Sequence, residues 1–453
     1  MWEKMVKPTT RLVSLLGLCL LFAAAGCGRK TASGPGPLRV WHWMTDREDA
    51  FNELAKRYQQ ATGTAVRFEL YAPSDVYVQK VRAAAQTDGL PDVYGILGET
   101  RDLASFINAG HVLPLDAAMS AGGNTAESSA SWRSTFFSKA LDVNAFGKGN
   151  PYGIAPGVYG VPIDVMNIQM FYNKKLLATL GLDPEKPPST WLELMGMAKL
   201  AKDKGLIGFV SGWAELWLID CFATNYAIHL MGMKKVEATY RGDIPYTDPD
   251  WVRVLKLFAE MRDSELLADG IVTMVNKRAE QFFANEQAVF AFNGTWGVNV
   301  YQSMNPTLEY GVAMPPRLKE RPMVTWGGAG SSFFVNAKSP RNTEAIAFLQ
   351  WFTAEPQQRY LLETTHNIPA NRLAAADLPP ALAAFAGQMD ATVHPRLFSV
   401  QEHSAVIEAF DKGIQTIIIG EATPEQVAKQ VQDVKQREAS RRASLKATAH
   451  ALR

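Results

Sequence analysis

Aromatic and acidic residues stand at the ends of several predicted strands of this chain. Trp43 and Tyr71 lie at the ends of the first two strand-like runs, and Glu99 follows the third. Aromatic rings cover the apolar face of a ligand with little loss of side-chain entropy. Carboxylates accept strong, charge-assisted hydrogen bonds from hydroxyl groups. Together these residue types predict a site for a ligand that has apolar faces and a belt of hydroxyls, as a sugar does.

The middle of the chain carries a second group of such residues. Trp213 and Trp217 flank Glu215 in a predicted loop, and Trp296 ends a later predicted strand. Each tryptophan has an alternative place in the hydrophobic core, because large aromatic side chains are often buried. Each carboxylate has an alternative solvated or structural position. We take all four residues as candidates for the ligand site.

A third group combines an aromatic ring with glycines. Trp326 precedes Gly327 and Gly328 in the stretch TWGGAG. A glycine has no side chain beyond its hydrogen, so its backbone can approach a ligand closely. These three residues are therefore also candidates for the ligand site, with a core position as the alternative for Trp326.

The elements that must position these residues alternate along the chain. Strand-like runs at 38–44, 65–71 and 91–97 are separated by helical patterns at 48–61 and 75–86. This alternation predicts β-α-β units and a mostly parallel sheet, and so an α/β fold. In such sheets, ligands bind beyond the carboxyl ends of the strands. The ends of these strands are where Trp43, Tyr71 and Glu99 stand.

Length and charge limit the possible classes of protein. The chain has 453 residues, which favours two domains over one. Removing residues 1–26 takes away three basic residues and one acid, which leaves 43 basic against 44 acidic residues. This balance gives no indication of nucleic-acid binding.

The N-terminus has the features of an export signal. A basic start precedes 14 mostly apolar residues, 12–25, which are too few to span a bilayer. Cys27 follows a run of small residues, as in the bacterial lipobox, in which the cysteine becomes the lipidated first residue. We predict a signal peptide at 1–26, a lipid anchor on Cys27 and a flexible Gly/Ser/Pro tether at 27–37. The protein would then be exported and anchored to a membrane, facing the periplasm or the cell exterior.

Signals for catalysis and for metal or cofactor binding are missing from the sequence. It contains no G-x-S-x-G, H-E-x-x-H or P-loop motif, and its seven histidines show no metal-ligand spacing. Cys221 is the one cysteine of the folded body, so we predict no intramolecular disulfide and a buried, apolar role for this residue. We expect no cofactor, no metal and no enzymatic activity. A glycoside-acting enzyme stays as an alternative, since it would also need aromatic residues and carboxylates.

Five stretches in order resemble the extracellular solute-binding proteins of ABC sugar importers, the family typified by maltose-binding protein. They are LRVWHWM…FNELAKRYQQATG, PDVYGI…AGHVLPLD, YGVPIDVMNIQMFYNKKLL…PPSTWLEL, FFANEQAVFAFNGTWG and WGGAGSSFFVNAKSPRNTEAIAFLQWFTAEPQQRYLLETTHNIPANR. The resemblance covers about residues 38–430. It implies a two-lobed periplasmic-binding-protein-like type II fold, with a hinge and a ligand cleft between the lobes.

The resemblance also implies where the chain passes between the lobes. The crossings would lie near Pro162–Asp164, Tyr310–Pro316 and Lys338–Arg341. The first lobe would then be 38–163 plus 313–338, and the second lobe 164–312 plus 339–453.

By the same resemblance, Asp164 at the first crossing and Arg372 after IPAN join the candidate ligand-binding residues, and Glu99 matches an acid of the family's site. The implied partners are a carbohydrate ligand and the permease subunits of an ABC transporter. We expect a monomer. A receptor that serves a sensor or a scavenging complex instead of an importer is the alternative, and it differs in its partner and not in the chemistry of its cleft.

Overall fold

The computed structural model describes residues 36–72, 74–98, 100–121, 131–394 and 397–451. The predicted signal peptide, Cys27, most of the tether and Glu99 lie outside these residues. The strands are β1 (Leu38–His42), β2 (Val66–Leu70), β3 (Val93–Gly95), β4 (Ala145–Phe146), β5 (Gly157–Val158), β6 (Val161–Pro162), β7 (Asp164–Asn173), β8 (Ile207–Val210), β9 (Ala288–Gly294), β10 (Tyr310–Ala313), β11 (Thr325–Ala329), β12 (Ser332–Val335), β13 (Ile368–Pro369) and β14 (Thr392–Val393).

Helices separate most of these strands. They are α1 (Glu48–Thr62), α2 (Ser74–Gln86), α3 (Thr100–Asn108), α4 (Asp116–Ser120), α5 (Ser138–Asp142), α6 (Lys174–Thr179), α7 (Trp191–Asp203), α8 (Leu216–Met231), α9 (Met233–Arg241), α10 (Pro249–Asp263), α11 (Asn276–Ala284), α12 (Trp296–Met304), α13 (Asn342–Phe352), α14 (Glu355–Thr365), α15 (Pro380–Gly387), α16 (Ser404–Ile418) and α17 (Pro424–Ala451). None of those within the described ranges has the length and apolar character needed to cross a bilayer.

The first sheet contains the predicted parallel strands. Its order is β2-β1-β3-β12-β6, and β1 pairs in parallel with both β2 and β3. Helix α1 connects β1 to β2 and buries Phe51, Leu54 and Tyr58 against the sheet. It ends at Gly63, whose φ of 77° is a left-handed conformation that glycine adopts without steric cost. The β-α-β units predicted from the sequence are confirmed in this sheet.

The second sheet is built around one long strand. Its order is β14-β11-β7-β9-β8, and β10 and β13 also pair with β7. Nine of the ten residues of β7 are buried, because the strand lies in the middle of the sheet. Helices α8, α10, α16 and α17 pack together beside this sheet, with Phe222 and Phe258 in their shared core. Cys221 lies in the same core, fully buried as predicted, and burial raises the pKa of its thiol.

The chain passes between the two sheets three times. Only Ile163 separates β6 in the first sheet from β7 in the second. The next passage is at 330–331, between β11 and β12, and the last is at 366–367, between α14 and β13.

Two of these passages differ from the predicted crossings near Tyr310–Pro316 and Lys338–Arg341. The reason for the first difference is that β10 and β11 both pair with β7 and so belong to the second sheet. The reason for the second is that α13 and α14 pack on the first sheet, where Phe348 and Phe352 join the core around Phe68. Strand pairing and packing over long sequence separations, which local sequence does not specify, decided both positions.

Candidate ligand-binding site

A cavity of about 780 Å³ lies at the carboxyl ends of the strands of the first sheet and is closed on its other side by elements of the second. Trp43 lines it just past β1, and Ile96, Leu97 and Gly98 line it just past β3. Met166 of β7 faces it from the second sheet. This is the place at which a parallel α/β sheet binds ligands. Its volume is in the range of small-molecule sites.

Trp43 is held on the first sheet by a glycine. Its ring lies 5.2 Å from the ring of Tyr77 and covers Gly95 of β3. A Cβ atom at Gly95 would overlap the Trp43 ring. The absence of a side chain at this position therefore allows the indole to lie flat along the cavity wall.

Glu215, Trp217 and Trp296 come together at the start of α8. The Trp217 ring lies 5.8 Å from the Trp296 ring, and its indole nitrogen donates to Glu215 at 3.2 Å. The other Glu215 oxygen accepts the backbone N–H of Asn276 at 2.8 Å. Glu215 and Trp217 line the cavity, and Trp296 supports Trp217 from the core side. Trp217 keeps 40% of its surface exposed, which leaves one ring face available to a ligand.

Trp326 lines the cavity from β11, with its ring 5.9 Å from that of His394. Its indole nitrogen is buried, and none of the described residues forms a hydrogen bond with it. Gly327 and Gly328 continue the strand and pair with β7, and neither lines the cavity. Gly328 has a φ of 134°, and a Cβ at Gly327 would overlap Thr392. These two glycines therefore serve strand geometry and packing in this structure.

Trp213 has a different place from the one predicted. Its side chain is fully buried and packs between Phe209, Phe222 and Phe258, with ring centroids 5.4 to 5.6 Å apart. The loop before α8 turns inward at this residue, and its N–H donates to Ser211 at 3.0 Å. Trp213 thus belongs to the core, and Trp217, four residues later, faces the cavity instead.

Asp164 is buried at the first passage between the sheets and does not line the cavity. One of its oxygens pairs with the guanidinium of Arg47, which follows β1, and the other accepts the Ser331 N–H at 2.5 Å. Arg47 also contacts Asp46 at 3.2 Å. Asp164 therefore joins the two sheets, which explains a carboxylate at this position without a ligand.

Tyr71 and Arg372 also lie away from the cavity. The Tyr71 ring packs 5.2 Å from Trp41, and its hydroxyl donates to Glu69 at 2.9 Å. Arg372 is exposed, and its backbone N–H donates to Thr135 at 2.9 Å. Glu99 itself is outside the described residues, but its neighbour Gly98 lines the cavity.

Four acidic residues of the cavity wall were absent from the sequence-based set: Asp220 on α8, Glu402 before α16, and Glu408 and Asp411 on α16. A weak signal for Asp411 exists in the sequence, since it falls between the apolar residues Phe410 and Ile414 of an otherwise amphipathic helix. Asp411 is 2% exposed, and in the part of the chain that the structure describes its Oδ1 has no hydrogen-bond partner. Burial raises the pKa of Asp411 well above its usual range, and the nearby charges of Asp220 and Glu408 raise it further.

The charges around the cavity have one sign. Its wall contains five carboxylates and one histidine, and no lysine or arginine among the described residues. The described part of the chain also has no cluster of three or more side chains that could hold a metal ion. The wall thus combines aromatic surface with hydrogen-bond acceptors.

Comparison with known proteins identifies the family that has this architecture. Residues 53–386 match the family of bacterial extracellular solute-binding proteins. The multiple sugar-binding protein of Streptococcus mutans is 26% identical over 220 residues, which cover 47% of this chain and 51% of that protein. The galactooligosaccharide-binding protein of Bacillus subtilis is 24% identical over 285 residues, which cover 60% and 64%. These alignments span less than two thirds of the relatives' lengths.

A solved structure supports the same fold over more of the chain. A sugar transporter from Bacillus licheniformis in complex with stachyose has a TM-score of 0.67 at 18% identity, and the match covers 88% of this chain and 99% of that one. The predicted two-lobed α/β fold is thereby confirmed. Because this family match covers well over half of the sequence, the chain belongs to the bacterial extracellular solute-binding proteins.

Proposed function

We propose that this protein captures a carbohydrate in the cavity and delivers it to the permease of an ABC transporter. The observation that carries the proposal is that Trp43, Trp217 and Trp326, from elements of both sheets, line one cavity together with carboxylates. Aromatic faces suit the apolar C–H faces of a sugar, and the carboxylates accept hydrogen bonds from its hydroxyls. Names of the relatives, which refer to multiple sugars, galactooligosaccharides and stachyose, support the same class of ligand.

The charge of the cavity wall disfavours an anionic ligand such as a glycerol phosphoester. Phosphate recognition in proteins depends on cationic side chains or on clustered backbone N–H groups. The described wall has five carboxylates and no lysine or arginine, so a phosphate would meet repulsion there. A neutral or cationic polyhydroxylated ligand fits better.

Closure of the two lobes around the ligand would complete the site. We propose that the lobes follow sheet membership, with 38–162 and 332–365 in the first and the strands of the second sheet in the other. The three passages at 163, 330–331 and 366–367 would then form the hinge. Glu99, which follows Gly98, remains a proposed ligand contact that such closure would bring to the sugar.

The N-terminal sequence supports a proposal of export and membrane anchoring. We propose that residues 1–26 are removed and that lipid on Cys27 holds the protein at a membrane surface, facing the periplasm or the cell exterior. The tether up to residue 37 would allow a monomer to reach its permease. We propose binding without catalysis, so bound oligosaccharides are expected to be released intact.

Thermal denaturation with a broad panel of mono- and oligosaccharides tests the proposal. A ligand that binds only the folded state raises the melting temperature by mass action. We expect a concentration-dependent increase for at least one sugar, with the sugar recovered unchanged by chromatography. No increase with any carbohydrate would contradict the proposed ligand class, and cleavage of the sugar would contradict binding without catalysis.

A further inference from the structure

The carboxylates of the cavity wall differ in how they are neutralised. Glu402 forms an ion pair with Lys435, and Glu408 pairs with Lys412 at 2.6 Å. Glu215 receives hydrogen bonds from a backbone N–H and an indole, and no lysine or arginine among the described residues pairs with it. Two of the five acidic residues of the wall, Glu402 and Glu408, are thus paired with lysines.

Asp411 is the most unusual of these groups. Its side chain is buried, its Oδ1 has no hydrogen-bond partner among the described residues, and it lines the cavity. Leaving a buried polar group unsatisfied costs about 1–3 kcal/mol. A donor from a ligand would remove that cost, so the unpartnered oxygen indicates where a ligand group is expected.

Two further carboxylates, those of Glu408 and Asp220, lie near Asp411. Glu408 lies three residues before Asp411 on α16, so both side chains project from the same side of the helix. Asp220 on α8, which packs against α16, lines the same cavity and accepts from Thr224 at 3.2 Å. The charges of both residues act on Asp411. We call Asp220, Glu408 and Asp411 the acidic subsite.

We propose that the acidic subsite binds a protonated amino group carried by the sugar. An ammonium group offers three donors and a positive charge, which suits several carboxylates around one buried, unpartnered oxygen. The aromatic walls of the same cavity would also favour a cation, through attraction between the charge and the ring faces. An ammonium beside Asp411 would stabilise the charged form of its carboxyl, against the burial that raises its pKa.

A neutral hydroxyl and a metal ion fit the subsite less well. A hydroxyl brings one donor and no charge, so it would leave the repulsion between the carboxylates in place. Within the described residues, no group of three or more ligands has the arrangement needed for a metal. The inference rests on the proposed function, because it names the class of sugar.

Isothermal titration of the full chain with matched pairs of sugars tests this inference. The pairs are glucosamine and glucose, galactosamine and galactose, and chitosan tetraose and cellotetraose, which differ in amino against hydroxyl groups. The pH is kept where the amines are protonated. We expect one amino sugar to bind at least about tenfold more tightly than its hydroxyl partner, because each added charge-assisted hydrogen bond contributes roughly one order of magnitude in Kd.

Variants of the acidic subsite distinguish the effect of its charge on binding from any effect on folding. Asp411→Asn and Asp220→Asn should each reduce the ratio of the two Kd values, hydroxyl partner over amino sugar, about tenfold, because the amide removes the negative charge that favours the ammonium. Asp433→Asn, on the exposed side of α17 outside the cavity wall, is the matched control and should leave both affinities unchanged. Melting curves of each variant establish that it is folded, and Asp220→Asn provides the test if Asp411→Asn is not.

The outcomes distinguish this inference from the proposed function. Equal or tighter binding of the hydroxyl member in every pair that binds would overturn the ammonium subsite and leave carbohydrate binding intact. Failure of all pairs and of the wider sugar panel would overturn both. Binding of spermidine as tightly as of the amino sugar would also overturn the inference, because the sugar would then contribute nothing to recognition.

Discussion

Trp213 and Trp217 are four residues apart in sequence, but one belongs to the core and the other to the wall of the cavity. Trp213 is fully buried among phenylalanines, whereas Trp217 is 40% exposed and lines the cavity. Both flank Glu215, and nothing in their immediate sequence distinguishes them. The difference arises because α8 starts between them and turns one ring inward and the other outward.

Substitution of these two tryptophans should have opposite effects. Trp213→Ala creates a cavity in the core, and we expect it to lower the free energy of unfolding by about 3–5 kcal/mol. Trp217→Ala should change stability by less than about 1 kcal/mol but reduce ligand affinity by tenfold or more, because a stacking surface is lost. Urea denaturation and titration with the sugar found in the thermal panel measure the two effects. Normal ligand binding by Trp217→Ala would remove this ring from the site.

His42 should make the stability depend on pH. It is fully buried against Phe51 and Phe68. Burial, with a smaller contribution from Arg47, lowers its pKa from 6.5 to about 4. Between these values the unfolded chain takes up a proton that the folded protein does not, so acidification over this range favours unfolding by up to about 3 kcal/mol.

The matched variant for this prediction is His42→Leu, which replaces the imidazole with an apolar side chain of similar size. Urea denaturation at several pH values should show a smaller loss of stability below pH 6.5 for the variant than for the natural protein. Identical pH profiles of the two proteins would show that His42 does not contribute to the acid sensitivity.

At the scale of elements, glycines make room for Trp43, which lines the cavity, and for Trp296, which supports Trp217. Gly95 of β3 lies under the Trp43 ring, and Gly294 of β9 lies under the Trp296 ring. In both cases a Cβ atom would overlap the indole. The sequence predicted that both tryptophans stand at strand ends, but it did not predict the glycines beneath their rings. Gly95 meets Trp43 through long-range packing, and Gly294 meets Trp296 at a tight strand-to-helix turn.

Gly95→Ala should therefore displace Trp43. We expect a loss of about 1–3 kcal/mol in stability from overpacking, together with weaker sugar binding. Gly147→Ala is the control, since no atom lies within 4 Å of a Cβ placed at that exposed glycine. Urea denaturation and sugar titration of both variants measure the effects. If both alanine variants bind sugar equally well, the position of the Trp43 ring is not needed for binding.

At the scale of the whole molecule, one buried ion pair connects the two sheets. Arg47 follows β1 of the first sheet, and Asp164 begins β7 of the second. Removing one partner of a buried ion pair leaves an uncompensated charge, at a cost of about 3–5 kcal/mol. We expect this cost for Asp164→Asn and a similar one for Arg47→Met.

A double-mutant cycle measures this connection. The Arg47→Met/Asp164→Asn protein should be destabilised by clearly less than the sum of the single variants, because neither charge is then left alone. Urea denaturation of the four proteins gives the coupling free energy. Additive effects would show that the two residues act separately.

The sequence by itself determined the class of fold, the parallel pairing of β1 with β2 and β3, and the family. These features depend on local periodicity, on helix ends such as Gly63 and on short ordered motifs, which a linear sequence records directly. In the structure, the first passage between the sheets, at Ile163, lies inside one such motif.

Only the tertiary structure decided which candidates face the cavity. It brought Trp43, Glu215, Trp217 and Trp326 to one cavity, and it placed Trp213 in the core. In the structure, α13 and α14 pack on the first sheet. Acidic residues of α8 and α16, which are nearly 200 residues apart in sequence, lie together at the cavity. Burial and charge proximity are properties of packing between distant segments, and no local pattern specifies them.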